Sequence, residues 1–212
     1  GIIVDTNFHA ENCDSSFPII FTNFNIIDGS LSNTPFDSLS VSTTYRENRL
    51  LISEFNMLTD AGKADLTGWI NKDFISNLTI ENNTNEMDLH FNLDKFEIKH
   101  FNSYLPWQFE SSGLITGEGE ISGPLNDMQI LTNINIQKPI FDKIIGDELA
   151  GTISYKNKKL IFNNLQLKTK SGQYIAGGYI PLNLIKESNI DIKTLPIDLI
   201  VTGKSNELGF VS

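Results

Sequence analysis

Cysteine occurs once in this 212-residue chain, at Cys13, so no internal disulfide can form and no cysteine-based metal site can be built. Histidine is almost as scarce: His9, His90 and His100 lie far apart, and none pairs with another ligand at metal-binding spacing. Positive charge is also short, with 16 Lys and Arg against 26 Asp and Glu, a net charge of −10. That balance excludes a nucleic-acid partner, whose phosphates need a basic surface, and docking on anionic headgroups through a charged face. Long apolar runs are missing too: stretches such as Ile2–Val4 and Leu199–Val201 are far too short to span a bilayer as helices. The chain opens at Gly1 without a basic, Met-led leader and is expected to be a piece of a longer protein. No serine sits in a G-x-S-x-G elbow, and the carboxylate pairs Asp5/Glu11 and Glu118/Glu120 are what an acidic surface produces. The sequons at Asn77 and Asn82 are expected in so Asn-rich a chain. Neither catalysis nor a metal or other cofactor is expected.

What is present is alternation. The chain is 40% hydrophobic and 10% aromatic, and its apolar residues recur with period two, the mark of strands with one buried face. Met87, Leu89, Phe91 and Leu93 alternate with Asp88, His90, Asn92 and Asp94. Ile130, Thr132, Ile134 and Ile136 alternate with Leu131, Asn133, Asn135 and Gln137. Leu165 and Leu167 alternate with Asn164, Gln166 and Lys168, and Leu39 and Val41 with Ser40 and Ser42. Breakers punctuate these runs at Asp28-Gly29, Asn33-Thr34-Pro35, Asp60-Ala61-Gly62, Lys156-Asn157-Lys158 and Lys170-Ser171-Gly172. Only Phe101–Leu105 suggests a helical turn. The chain is all-β.

It also repeats itself. Leu39–Ile70 lies over Leu149–Ile180 at an offset of 110 without a gap, and seven of the 32 pairs are identical. These are Leu39/Leu149, Tyr45/Tyr155, Leu50/Leu160, Thr59/Thr169, Gly62/Gly172, Gly68/Gly178 and Ile70/Ile180, joined by Arg46/Lys156 and Trp69/Tyr179 as conservative pairs. The same offset carries Met87–Phe91 onto Ile197–Val201. Two β units are therefore expected in one continuous array, 1–108 and 109–212.

The glycine-rich stretch "GLITGEGEISGPL" (113–125) has three conceivable uses. A phosphate loop would need Gly-Lys-Ser/Thr, or G-x-G-x-x-G leading into a helix, and Glu118 and Glu120 would repel the ligand. A calcium loop would need denser aspartates. The reading that remains is a strand over Leu114–Ser122 whose glycines permit bending or close approach of a neighbour.

With the motifs in place, 105–184 resembles the repeats of the AsmA-like superfamily, TamB-type translocation and assembly proteins in particular. The features that carry the resemblance are Leu105-Pro106, Gly113/Gly117/Gly123, Leu149–Tyr155, Leu160–Leu167, Gly172 and Gly178–Ile180, with a weaker echo in 24–75. The resemblance implies a long sheet curled into an open trough, a β-taco, with an apolar inner face. It implies a periplasmic location in a protein anchored in the inner membrane of didermic bacteria by a segment outside these residues. It further implies transport of phospholipid toward the outer membrane, and an outer-membrane β-barrel partner bound through regions not matched here.

Physical chemistry supplies a mechanism for such a trough. A curved sheet sends alternate side chains to its concave face. Met87, Leu89, Phe91, Leu93, Ile130, Ile134, Ile136, Ile153, Tyr155, Leu165, Leu167, Leu199 and Val201 are the expected lining, with phospholipid acyl chains as the ligand. The same alternation also lines the closed core of a β-sandwich or β-helix, and periodicity does not separate the two. Three functional readings follow: a lipid-conducting segment, a scaffold offering strand edges to nascent outer-membrane proteins, and a structural or adhesive β-repeat module.

Overall fold

The computed structural model describes residues 2–13, 18–31, 34–71, 85–101, 111–181 and 198–205. The sequons at Asn77 and Asn82, the Leu105-Pro106 step and most of the Phe101–Leu105 turn lie outside these residues, as do Asn33 and Ile197. Every long run of alternation has become a strand. In chain order these are β1 (Ile2–Glu11), β2 (Ile19–Leu31), β3 (Thr34–Arg46), β4 (Arg49–Thr59), β5 (Gly62–Asn71) and β6 (Glu86–Glu97). They continue as β7 (Ser111–Pro124), β8 (Gln129–Phe141), β9 (Ile144–Ile145), β10 (Glu148–Lys156), β11 (Lys159–Thr169), β12 (Gly172–Pro181) and β13 (Asp198–Ser205). Short 3-10 turns at Ile98–Phe101 and Leu125–Asp127 are the helical elements among the described residues.

Hydrogen bonding follows the sequence. The strand order is β1 to β13 without a crossover, apart from two-residue β9, which folds back on β8. The result is an antiparallel sheet whose strand order starts at β1 and ends at β13, without the β1–β13 pairing that would close a barrel among the described residues. A sandwich or β-helix, the closed-core alternatives, would need a second sheet or parallel coils, and the described strands form neither. Backbone proximity divides the chain into one unit of Gly1–Asp94 with Glu120–Met128, and another of Lys95–Gly119 with Gln129–Ser212.

The repeat reaches further in structure than in sequence. Adding 110 to the bounds of β2, β4 and β5 gives those of β8, β11 and β12. Both units turn between equivalent strands on a two-residue hairpin with positive φ at both positions, Glu47-Asn48 (51° and 63°) and Asn157-Lys158 (52° and 56°). Positive φ at both central residues gives a turn whose twist matches that of the flanking strands. The next turn is held by a threonine in each unit. Thr59 Oγ1 accepts from the Ala61 amide at 3.0 Å and Thr169 Oγ1 from the Gly172 amide at 3.1 Å, and both hydroxyls donate back to a glycine carbonyl. On the face opposite Leu50 and Leu160, Arg49 stacks over Trp69 and Lys159 over Tyr179, each at 4.1 Å from the ring centroid.

One expected break is corrected. Asp28-Gly29 reads as a turn, yet β2 runs through it to Leu31, and pairing with β3 skips from Ile27↔Ser38 to Gly29↔Phe36. The register is the same on both sides of Asp28, which takes a left-handed backbone (φ 53°) without ending the strand, and Lys138 does the same at φ 50° in β8. The glycine-rich stretch, by contrast, is strand throughout: β7 covers Ser111–Pro124, and Gly117 is buried against Asn133 and Ile134.

Gly68 and Gly178 show why particular glycines recur. Their φ values, +130° and +134°, are closed to side chains. A Cβ at Gly178 would drive into the Asp198 carbonyl and stand 3.0 Å from the Leu199 Cα; one at Gly68 would meet Asp88 and Leu89 in the same way. Gly178→Ala should therefore cost on the order of 2–3 kcal/mol or more. Gly177→Ala, whose Cβ would meet its nearest neighbour at 3.7 Å, is the matched control. Urea unfolding of the two variants measures the difference, and equal midpoints would refute the strain account.

Candidate functional site

Residues directly opposite across antiparallel strands share a face, so the register of each unit assigns every side chain. In the first unit, Ile26, Leu39, Met57, Ala64 and Leu93 form one row across β2 to β6. Ile20, Tyr45, Leu50, Ile70 and Met87 form another. Between them lie Phe24, Val41, Phe55 and, paired with each other on β5 and β6, Leu66 and Phe91. Phe36, Leu39 and Val41 are buried there against Phe24, Ile26, Phe55 and Met57.

The second unit is built alike. Its rows are Ile136-Leu149-Leu167-Tyr174 and Ile130-Tyr155-Leu160-Ile180. Ile153, Phe162 and Leu199 lie on the same face, as do Leu165, Ala176 and Val201. Ile98, Ile136 and Leu149 form its buried cluster, with Ile115, Ile134, Phe141, Leu165 and Leu167 packed around them.

Of the thirteen residues expected to line an apolar surface, Met87, Leu89, Phe91 and Leu93 thus share one face of the first unit. The other nine share one face of the second. Their burial differs with position. Met87, Ile136 and Tyr155 are buried, while Leu89, Phe91, Leu93, Ile130, Ile134, Ile153, Leu165 and Leu167 are half-buried. Leu199 and Val201 are exposed because, among the described residues, only β12 flanks β13. Half-burial is what single-layer packing allows: a side chain is covered laterally by its row neighbours, and no second sheet covers it among the described residues.

Alternation alone misses half of this face. In β4 the apolar set changes parity, Leu50 and Ile52 giving way to Phe55 and Met57, because pairing with β3 shifts between Ser42 and Thr43. In β11, Leu160 and Phe162 give way to Leu165 and Leu167, where pairing with β12 shifts and Asn164 takes a φ of 53°. A bulge moves every later side chain to the other face. Its recurrence at the same place in both repeats is the signal that would reveal it.

The opposite face is mixed: exposed Phe21, Leu51, Leu131 and Ile175 lie on it beside polar side chains that bond to one another. In the first unit, Asn92 donates to Asp65 at 3.3 Å, and Lys63 pairs with Asp65 at 2.9 Å. His90 lies exposed 3.6 Å from Asp88, and His9 3.1 Å from Glu11. In the second unit, Thr152 donates to Asn133 at 2.8 Å, and Glu148 accepts from both Asn135 and Lys168 at 2.6 Å. No group of three or more His, Cys, Asp or Glu able to hold a metal occurs among the described residues. No helix among them is long and apolar enough to cross a membrane. The chain matches no family model, no curated protein and no solved structure.

The Lys168 ammonium, with help from the Asn135 amide, holds the Glu148 carboxyl below its usual value. A carboxylate whose folded pKa is lowered stabilises the fold fully above the ordinary glutamate range, and the contribution fades as pH falls through that range to the folded value. Carbon-detected NMR titration should give Glu148 a low midpoint that rises in Lys168→Met. An identical midpoint in both proteins would dismiss the ion pair as its cause.

Proposed function

We propose that the apolar face is a surface for lipid acyl chains, and that the chain is a non-catalytic segment of a carrier passing phospholipid between membranes of a cell envelope. The observation that supports this most directly is a face apolar in row after row that no second layer covers among the described residues. A closed core would bury these residues fully; here eight of the thirteen expected lining residues are half-buried. A soluble protein leaves a large contiguous apolar surface open chiefly where it binds something apolar.

The energetics suit retention without trapping. A buried methylene is worth about 0.8 kcal/mol, so a dozen methylenes laid half-covered on such a face gain on the order of 5 kcal/mol. Strands lie about 4.8 Å apart, so a row crossing five strands presents about 19 Å of apolar path. Successive rows are chemically alike, and a chain can shift from one to the next without losing much at any step. The headgroup stays in water and no bond is made or broken. The periplasmic setting and the outer-membrane β-barrel partner implied by the AsmA-like, TamB-type resemblance belong to this proposal.

A photoreactive amino acid placed at Phe91, Ile134 and Leu167, with Asn92, Asn135 and Gln166 as controls on the opposite face, tests it in cells. Phospholipid adducts are expected at the first three positions and not at the controls. Silence at all six, in a protein shown to be folded, would refute a lipid surface.

A further inference from the structure

The chain is acidic overall, yet three of its 16 basic residues, Lys156, Lys158 and Lys159, crowd the β10–β11 hairpin. The register sets Lys156 directly across from Lys159, and in the first unit it sets Arg46 across from Arg49. Like charges facing each other across two strands destabilise a sheet, so a pair kept in both repeats is explained if each meets an anion. The first unit supplies its own. Glu47 Oε1 accepts from the Arg46 guanidinium at 3.0 and 3.1 Å. At the equivalent place the second unit has Asn157, and among the described residues no carboxylate pairs with Lys156 or Lys159.

Beside that lysine pair lies a cavity of about 400 Å³, lined by Lys156, Asn157, Lys159, Ile161, Asn163 and Tyr179 among others. That volume is at the small end of ligand sites, which run from about 300 to 1,000 Å³. The Lys159 ammonium stands 4.1 Å from the Tyr179 ring centroid, which fixes its place at the cavity wall. An ammonium carries three donors, so the ring leaves others for a ligand. Ile161, directly across from Tyr179, adds an apolar wall, and the side-chain amides of Asn157 and Asn163 add polar ones. Asp198, one strand beyond and across from Tyr179, pairs with neither lysine.

We propose that this cavity binds a phosphate monoester on a small organic body. A monoester carries about −1.5 to −2 charges and three strong acceptor oxygens, which lets one group meet both ammoniums. A carboxylate, with a single charge, would neutralise one lysine and leave the other facing it. The carbon body lies along Ile161 and Tyr179, with its remaining oxygens toward Asn157 and Asn163. Two sources share this chemistry: a soluble ester such as glycerol 3-phosphate, and the headgroup of a monoester lipid such as phosphatidic acid. The net charge of −10 opposes a broad electrostatic contact with a membrane surface, and a single cationic cavity does not need one. The site stands whatever the apolar face carries.

Titration calorimetry with glycerol 3-phosphate should show saturable binding, and NMR amide shifts should centre on the hairpin and Tyr179. Asn157→Glu installs the first unit's carboxylate at φ 52°, a conformation Glu47 already adopts at 51°, so the fold should tolerate it. It should weaken binding by about tenfold or more, as should Lys156→Gln, with circular dichroism checking both folds. Lys158→Gln makes the same change in net charge on the same hairpin without touching the cavity, and should leave binding within about twofold. Phosphatidylcholine vesicles with and without phosphatidic acid identify the source. Retention that requires phosphatidic acid and disappears in Asn157→Glu assigns a lipid headgroup, and binding of the soluble ester alone assigns a free ligand. No saturable binding of either probe overturns the proposal, as does binding that Asn157→Glu and Lys158→Gln reduce alike.

Discussion

Apart from two-residue β9, every described strand hydrogen-bonds to its neighbours in sequence, and among the described residues no strand packs on another across a layer. Backbone pairing therefore carries the cohesion that a sandwich would share with its core. Apolar side chains gain only lateral cover from the rows beside them, which is why the buried clusters are small and most of the apolar face is half-exposed. Where sequence neighbours join through two-residue turns, as at Glu47-Asn48 and Asn157-Lys158, loop closure costs little entropy.

A flat ribbon of that kind would expose both faces equally and stack on its own copies. Bulges at equivalent places in both units, with Gly68 and Gly178 in backbone conformations closed to side chains, bend and twist the sheet locally instead. The two faces then take different chemistry. One is filled by rows of Leu, Ile, Phe and Met. The other carries bonded side chains such as Asn135–Glu148–Lys168 and cations stacked on Trp69 and Tyr179.

The proposed function grows from that architecture: an apolar face without a second layer among the described residues suits a ligand that is itself long and apolar.

The sequence by itself determined the all-β class, most strand positions, the turn at Asn157-Lys158 and the faces of β6 and β8, because side-chain alternation and turn chemistry are local. It also carried the repeat between 39–70 and 149–180. It did not give the faces of β4 or of Leu160 and Phe162 in β11, since a bulge such as that before Phe55 is defined by the partner strand, not by the residues it displaces. Asp28-Gly29 has the local chemistry of a turn, yet pairing with β3 carries the strand through it. Alternation cannot tell a closed core from an open face either, because both require one apolar side. Only the tertiary structure decided that, through the pairing order: the described strands pair side by side in chain order, and no second layer among them covers that side.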